Sequence, residues 1–105
     1  MDDKQAVNFN IVPDEERTPA GRVYSNFCAI QNSPFDFTLT FCEVLPLSEH
    51  DLQQARQNGN VKAPVRVRVA VPVQMIPGLI AALQENFRLF QQSVTPPPAQ
   101  GGPMN

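Results

Sequence analysis

The stretch Val65-Arg66-Val67-Arg68-Val69-Ala70-Val71-Pro72-Val73 places a valine at every odd position. Side chains alternate faces along a strand, so this period of two predicts a β-strand over 65–73 with one apolar face and Arg66 and Arg68 on the other. The same pattern recurs in Phe35-Asp36-Phe37-Thr38-Leu39-Thr40-Phe41-Cys42, with Phe35, Phe37, Leu39 and Phe41 on one side and Asp36, Thr38, Thr40 and Cys42 on the other. Val7-Asn8-Phe9-Asn10-Ile11 repeats it in miniature, ahead of Pro13 and the charged run Asp14-Glu15-Glu16-Arg17. Residues 23–31 are rich in types that suit a pleated surface and supply a fourth strand.

Gln31-Asn32-Ser33-Pro34 carries turn chemistry, because Asn and Ser offer local side-chain bonds and Pro fixes φ. Strands 23–31 and 35–42 are therefore expected to form a hairpin. With Gln31 opposite Phe35, Phe27 faces Leu39, Ala29 faces Phe37, Cys28 faces Thr38 and Tyr24 faces Cys42. On that register Phe27 and Ala29 join the core face. Tyr24, Asn26, Cys28 and Ile30 share a second, only partly polar face with Asp36, Thr38, Thr40 and Cys42. Cys28 and Cys42 then lie four residues apart along their strands, about 13 Å. A disulfide needs Cα atoms within about 7 Å, so both are expected as free thiols.

Beyond the valine strand, Pro77 suits a first helical position, where its missing N–H costs nothing. Ile76, Ile80, Leu83, Phe87, Phe90 and Val94 follow at alternating spacings of four and three, one apolar stripe of a helix expected to cover the apolar face of the sheet. A flanking stripe, Leu79, Ala82, Asn86 and Leu89, widens the apolar sector beyond what one sheet contact needs. Between the hairpin and the valine strand, residues 43–63 are too long for a loop without structure of its own. Ser48 with Asp51 reads as a capping box, Leu47 with Leu52 as a hydrophobic staple and Asn58-Gly59 as a stop, so a short helix is expected over 49–57. The expected architecture is an α+β domain over 1–94: a four-stranded, mostly antiparallel sheet with one face covered by the carboxy-terminal helix. Thr95-Pro96-Pro97-Pro98 opens a proline- and glycine-rich stretch, 95–105, expected to be a disordered tail.

A chain of 105 residues has room for one core. Eight Lys+Arg against ten Asp+Glu leave a net charge of −2 and no basic surplus for a nucleic-acid backbone. No apolar run approaches the 18–20 or so residues of a membrane span. Met1-Asp2-Asp3-Lys4 lacks the basic-then-apolar order of a secretory signal, so a cytoplasmic location is expected.

Little catalytic chemistry is visible. His50 is the single histidine and has no second ligand at metal spacing, so it reads as a solvated surface residue. Neither cysteine has a predicted base beside it to activate the thiol. No glycine loop for phosphate and no nucleophile elbow is present, and no cofactor, metal or catalytic residue is assigned. Asp36, Arg66 and Arg68 are the charges embedded in strands. They read as structural partners of the turn or of each other, with ligand contact as the alternative. Phe35, Phe37 and Phe41 read as core.

Val23-Tyr24-Ser25-Asn26-Phe27, then Ser33-Pro34-Phe35-Asp36-Phe37-Thr38-Leu39, then Leu83-Gln84-Glu85-Asn86 resemble a family of small bacterial and archaeal proteins known only as a domain of unknown function. The resemblance covers 23–41 and 65–92 and implies no catalytic residue. Residues 43–63 and the proline-rich end depart from the family's pattern. The order of strands followed by a long helix is also similar to that of the SecB export chaperones, which implies tetramers that hold unfolded chains on apolar grooves.

The expected role is a non-enzymatic interaction module acting as a small homo-oligomer, dimer or tetramer. The surfaces expected to meet are the helix flank of Leu79, Ala82, Asn86 and Leu89, or the second sheet face of Tyr24, Cys28 and Ile30. The expected partner is a second copy, or else another protein or an unfolded polypeptide as a SecB-like chaperone would hold; neither nucleic acid nor membrane is expected.

Overall fold

The computed structural model describes residues 8–18 and 21–94. Its central feature is a three-stranded antiparallel sheet in the order β1-β2-β3, formed by β1 (Phe27–Asn32), β2 (Asp36–Cys42) and β3 (Val65–Pro72). A short helix α1 (Glu49–Asn58) lies between β2 and β3, and a long helix α2 (Ile76–Val94) follows β3 after the 3-10 turn Val73–Met75. A second 3-10 turn, Glu15–Arg17, is capped by the Asp14 side chain.

The strand expected over 23–31 forms as β1, and the strand expected over 7–11 does not form among the described residues. Asn8–Ile11 is unpaired, with Phe9 83% and Ile11 98% exposed, and Val7 lies outside the described residues. Alternation makes a segment able to pair, but a strand exists only where a neighbour's backbone accepts its hydrogen bonds. Residues 95–105, expected as a disordered tail, also lie outside the described residues.

The hairpin register departs from expectation by three residues. Asn32 faces Phe37, Ile30 faces Leu39, Cys28 faces Phe41 and Phe27 faces Cys42. The reason is the turn. Ser33 donates its backbone N–H to the Asp36 carbonyl at 2.9 Å and its hydroxyl to Asp36 Oδ1 at 3.0 Å, while Ser33 Oγ accepts from the N–H groups of Phe35 and Asp36. Ser33 and Asp36 thus close a tight turn over Pro34 and Phe35, with proline where its fixed φ is favourable. Since faces alternate with period two, an odd shift inverts one strand relative to the other. Cys28 and Ile30 therefore join the apolar face, and Phe27 and Ala29 leave it. Tyr24 precedes the sheet. Phe35, expected in the core, sits in the turn and is exposed.

The β2–β3 register matches the two valine- and phenylalanine-rich patterns: Phe37 faces Val71, Leu39 faces Val69 and Phe41 faces Val67. An extra residue on β3, Arg66, makes a bulge at the Phe41/Cys42 step, because Cys42 faces Val65. Helix α1 begins at a complete Ser48–Asp51 capping box and stops at Gly59, whose φ of 74° is the left-handed conformation that glycine adopts without a Cβ clash.

The expectation that the long helix covers the sheet is not met. α2 packs against the Val73–Met75 turn, and only Ile76 and Leu79 in its first turn are half-buried. The connection explains this. Ile76 already has helical φ and ψ (−63°, −46°), so the 3-10 turn runs into α2 without a reversing loop, and the Val73 N–H is held by the Phe35 carbonyl at 3.3 Å.

Candidate interaction surface

Three rows of aligned residues cross the apolar face of the sheet: Cys28-Phe41-Val67, Ile30-Leu39-Val69 and Asn32-Phe37-Val71. Only Asn32 is polar, and no residue of the rows is charged. The opposite face is mixed, with rows such as Ala29-Thr40-Arg68 and Gln31-Thr38-Ala70. Among the described residues the buried hydrophobic side chains are Cys42 and Val71, at 7% and 6% exposure. The other apolar residues of the rows are half-buried or exposed, Ile30 most of all.

Helix α2 presents a second apolar surface. Ile80, Leu83, Phe87, Phe90 and Val94 share a stripe and are 50–63% exposed, with the Phe87 and Phe90 rings stacked at 6.1 Å between centroids. Arg88 grips Glu85 on the polar side of the helix, at 2.6 Å between Nη2 and Oε2, and holds that carboxyl below its usual range.

The residues expected at an oligomer interface are thus distributed over two places. Leu79 is half-buried at the start of α2; Ala82, Asn86 and Leu89 are exposed along its flank. Asn86 Nδ2 donates to the Ala82 carbonyl at 2.9 Å, so its amide is engaged within the helix. Cys28 and Ile30 lie on the apolar sheet face and Tyr24 outside the strands. The larger main stripe of α2, expected to cover the sheet of its own chain, is the part that stands open.

The charges in the strands are structural in their contacts. Asp36 is bonded by the Ser33 hydroxyl; Arg66 in the bulge pairs with Glu43 at 2.9 Å; Arg68 lies opposite Thr40. The expected Asp36–arginine pairing does not occur, because Asp36 faces Pro72 at the far end of β3. Asn26 has a role the sequence did not disclose. Its Oδ1 accepts the Val44 N–H at 2.7 Å and its Nδ2 donates to the Val44 carbonyl at 3.2 Å, so a side-chain amide stands in for one more backbone pair beyond the end of β1. Ser25 reinforces it by donating to the Cys42 carbonyl at 2.9 Å.

His50 lines a shallow polar depression with Asp51, Gln54, Asn58, Asn60, Val61 and Lys62. The Asp51 carboxylate is occupied there by the capping box: the Ser48 backbone N–H, then the Ser48 side chain, and less strongly the charge of His50 hold its pKa down. No group of three or more His, Cys, Asp or Glu side chains among the described residues is placed to hold a metal ion. Among the same residues no helix is long and apolar enough to cross a membrane.

The family described as Protein of unknown function (DUF3467) matches residues 1–96. The match agrees with the resemblance carried by the Tyr24-Ser25-Asn26 and Ser33-Pro34-Phe35-Asp36 segments, whose polar side chains here tie the hairpin together. No curated protein and no solved structure matches the chain, so the similarity to SecB finds no support.

Proposed function

We propose that this chain, which belongs to the DUF3467 family of unknown function, works as a non-enzymatic protein–protein interaction module and does so as a homo-oligomer. The observation that supports the reading is the imbalance between core and surface. Two buried hydrophobic residues are too few to offset the conformational entropy of ordering the described residues. The rest of the apolar sheet face is only half-buried or exposed, and the α2 stripe stands open to water. Patches of that kind mark association surfaces, and a fold that keeps its apolar surface for a partner gains stability on assembly.

Light scattering at micromolar concentration tests this. The expected mass is a multiple of 11.6 kDa. A mass of one chain across the concentration range overturns the reading.

The same open surface favours one other reading, a holder of unfolded polypeptides. A holder suppresses aggregation of an unrelated unfolding protein at near-stoichiometric ratios, whereas a module that buries its apolar surface on its own copies does not. No suppression is expected; clear suppression by the assembled protein would put the holder first.

A further inference from the structure

We propose that two copies exchange their closing helices, so that the Ile80, Leu83, Phe87, Phe90 stripe of α2 in each copy lies across the Leu39, Phe41, Val67, Val69 face of the other. The proposal rests on the homo-oligomer reading and specifies which surfaces meet.

The dimensions agree. A helix of 19 residues is about 28 Å long at 1.5 Å per residue. Strands of seven and eight residues run about 24–27 Å. Three strands about 4.8 Å apart span some 10 Å between the outer axes, about the diameter of one helix with its side chains. One helix therefore covers one face of this sheet, and each copy has one such helix and one such face.

The chemistry agrees as well. Neither the stripe nor the face carries a charge, while Glu85 and Arg88 lie around the far side of α2 and the Glu43–Arg66 pair lies off the rows of the apolar face. Docking the two surfaces buries no ion pair. Within one chain the contact is prevented by the direct run of the 3-10 turn into α2. A reciprocal exchange closes on itself under two-fold symmetry and leaves no unpaired end to propagate.

The area is sufficient. If each half-exposed large side chain of α2 loses about 100 Å² of exposure, well below the 150–250 Å² an aromatic can bury, those four stripe residues with Val94 beyond them and a matching sheet area give about 1,000 Å² per helix-on-sheet contact. Two such contacts make about 2,000 Å², where obligate dimer interfaces begin. A stable dimer needs surfaces of this size, and the chain offers both halves.

A charge exchange tests the pairing. Leu83→Lys and Val69→Glu, made separately in the full chain, should each raise the dissociation constant about tenfold or more, as loss of a buried interface anchor does. An equimolar mixture should recover a dimer of unlike copies, because one contact is then unaltered and the other sets Lys against Glu. If helices instead meet helices, Val69→Glu leaves the mass unchanged and mixing rescues nothing, which overturns the exchange while the oligomer stands. A wild-type monomer overturns both. Should Val69→Glu fail to fold by circular dichroism, single-cysteine copies decide: in a Cys28→Ser, Cys42→Ala background, Leu83→Cys on one copy and Val69→Cys on another should oxidise to unlike-copy disulfides. Disulfides between like copies alone would overturn the exchange.

Discussion

Ser33 illustrates how one side chain sets the geometry of a sheet. Its hydroxyl uses its donor on Asp36 Oδ1 and its acceptor capacity on two backbone N–H groups, so removing it leaves the turn only the backbone bond from the Ser33 N–H to the Asp36 carbonyl. Ser33→Ala is expected to cost about 1–2 kcal/mol in urea unfolding at fixed protein concentration, with no change in the mass of the assembly. A change in mass would show that the turn takes part in association. The cysteines are a second case. Cys28 faces Phe41 and Cys42 faces Phe27, so the two are neighbours in the hairpin rather than four residues apart, yet their side chains leave opposite faces of the sheet. Both are free thiols, Cys42 buried and Cys28 half-buried. Denatured, non-reduced protein should titrate as two thiols; a mass lighter by two hydrogens would contradict the register.

At the scale of elements, α1 depends on its ends. It buries no residue, so its capping box and the Gly59 stop matter more than packing. The Asp51 pKa is lowered from its ordinary value of 3.8, chiefly by the Ser48 backbone N–H. A carboxyl depressed on folding contributes its support above the unfolded value, and the support is lost as pH falls through the folded one. NMR titration of the Asp51 carboxyl should therefore give a midpoint below 3.8, and Ser48→Ala should move it upward. An unmoved midpoint would mean that the box does not form in solution. α2 differs in kind: its polar side is tied by Glu85–Arg88 and its apolar stripe is more than half exposed among the described residues. It is a helix by periodicity, and under the proposed exchange a second copy supplies the packing for its stripe.

At the scale of the whole molecule, the proposed assembly makes stability and association one quantity. If the apolar face and the stripe are covered only in the assembly, the unfolding midpoint must rise with protein concentration, because mass action links folding to oligomerisation. Thermal unfolding across a hundredfold range of concentration should show this rise. A midpoint that does not move would mean that a single chain carries its own stability, and the core would have to be sought elsewhere. The polar depression at His50 is not expected to contribute, so His50→Ala should leave both the mass and the midpoint unchanged.

Local periodicity and local chemistry determined β2, β3, α1 and α2, because valine alternation, a Ser48–Asp51 box and a stripe at spacings of three and four act within a few residues. The apolar face contributed by Phe37, Leu39, Phe41, Val67, Val69 and Val71, and the α2 stripe, were legible for the same reason. The part that Cys28 and Ile30 play in that face was not. It follows from the parity of the hairpin register, which Ser33 and Asp36 decide by bonding to each other across Pro34 and Phe35. Tertiary structure alone decided that residues 8–11 find no strand to pair with and that α2 leaves the sheet uncovered. Pairing and docking depend on which surfaces meet in space, and a side-chain pattern states what a segment can bury but not against what.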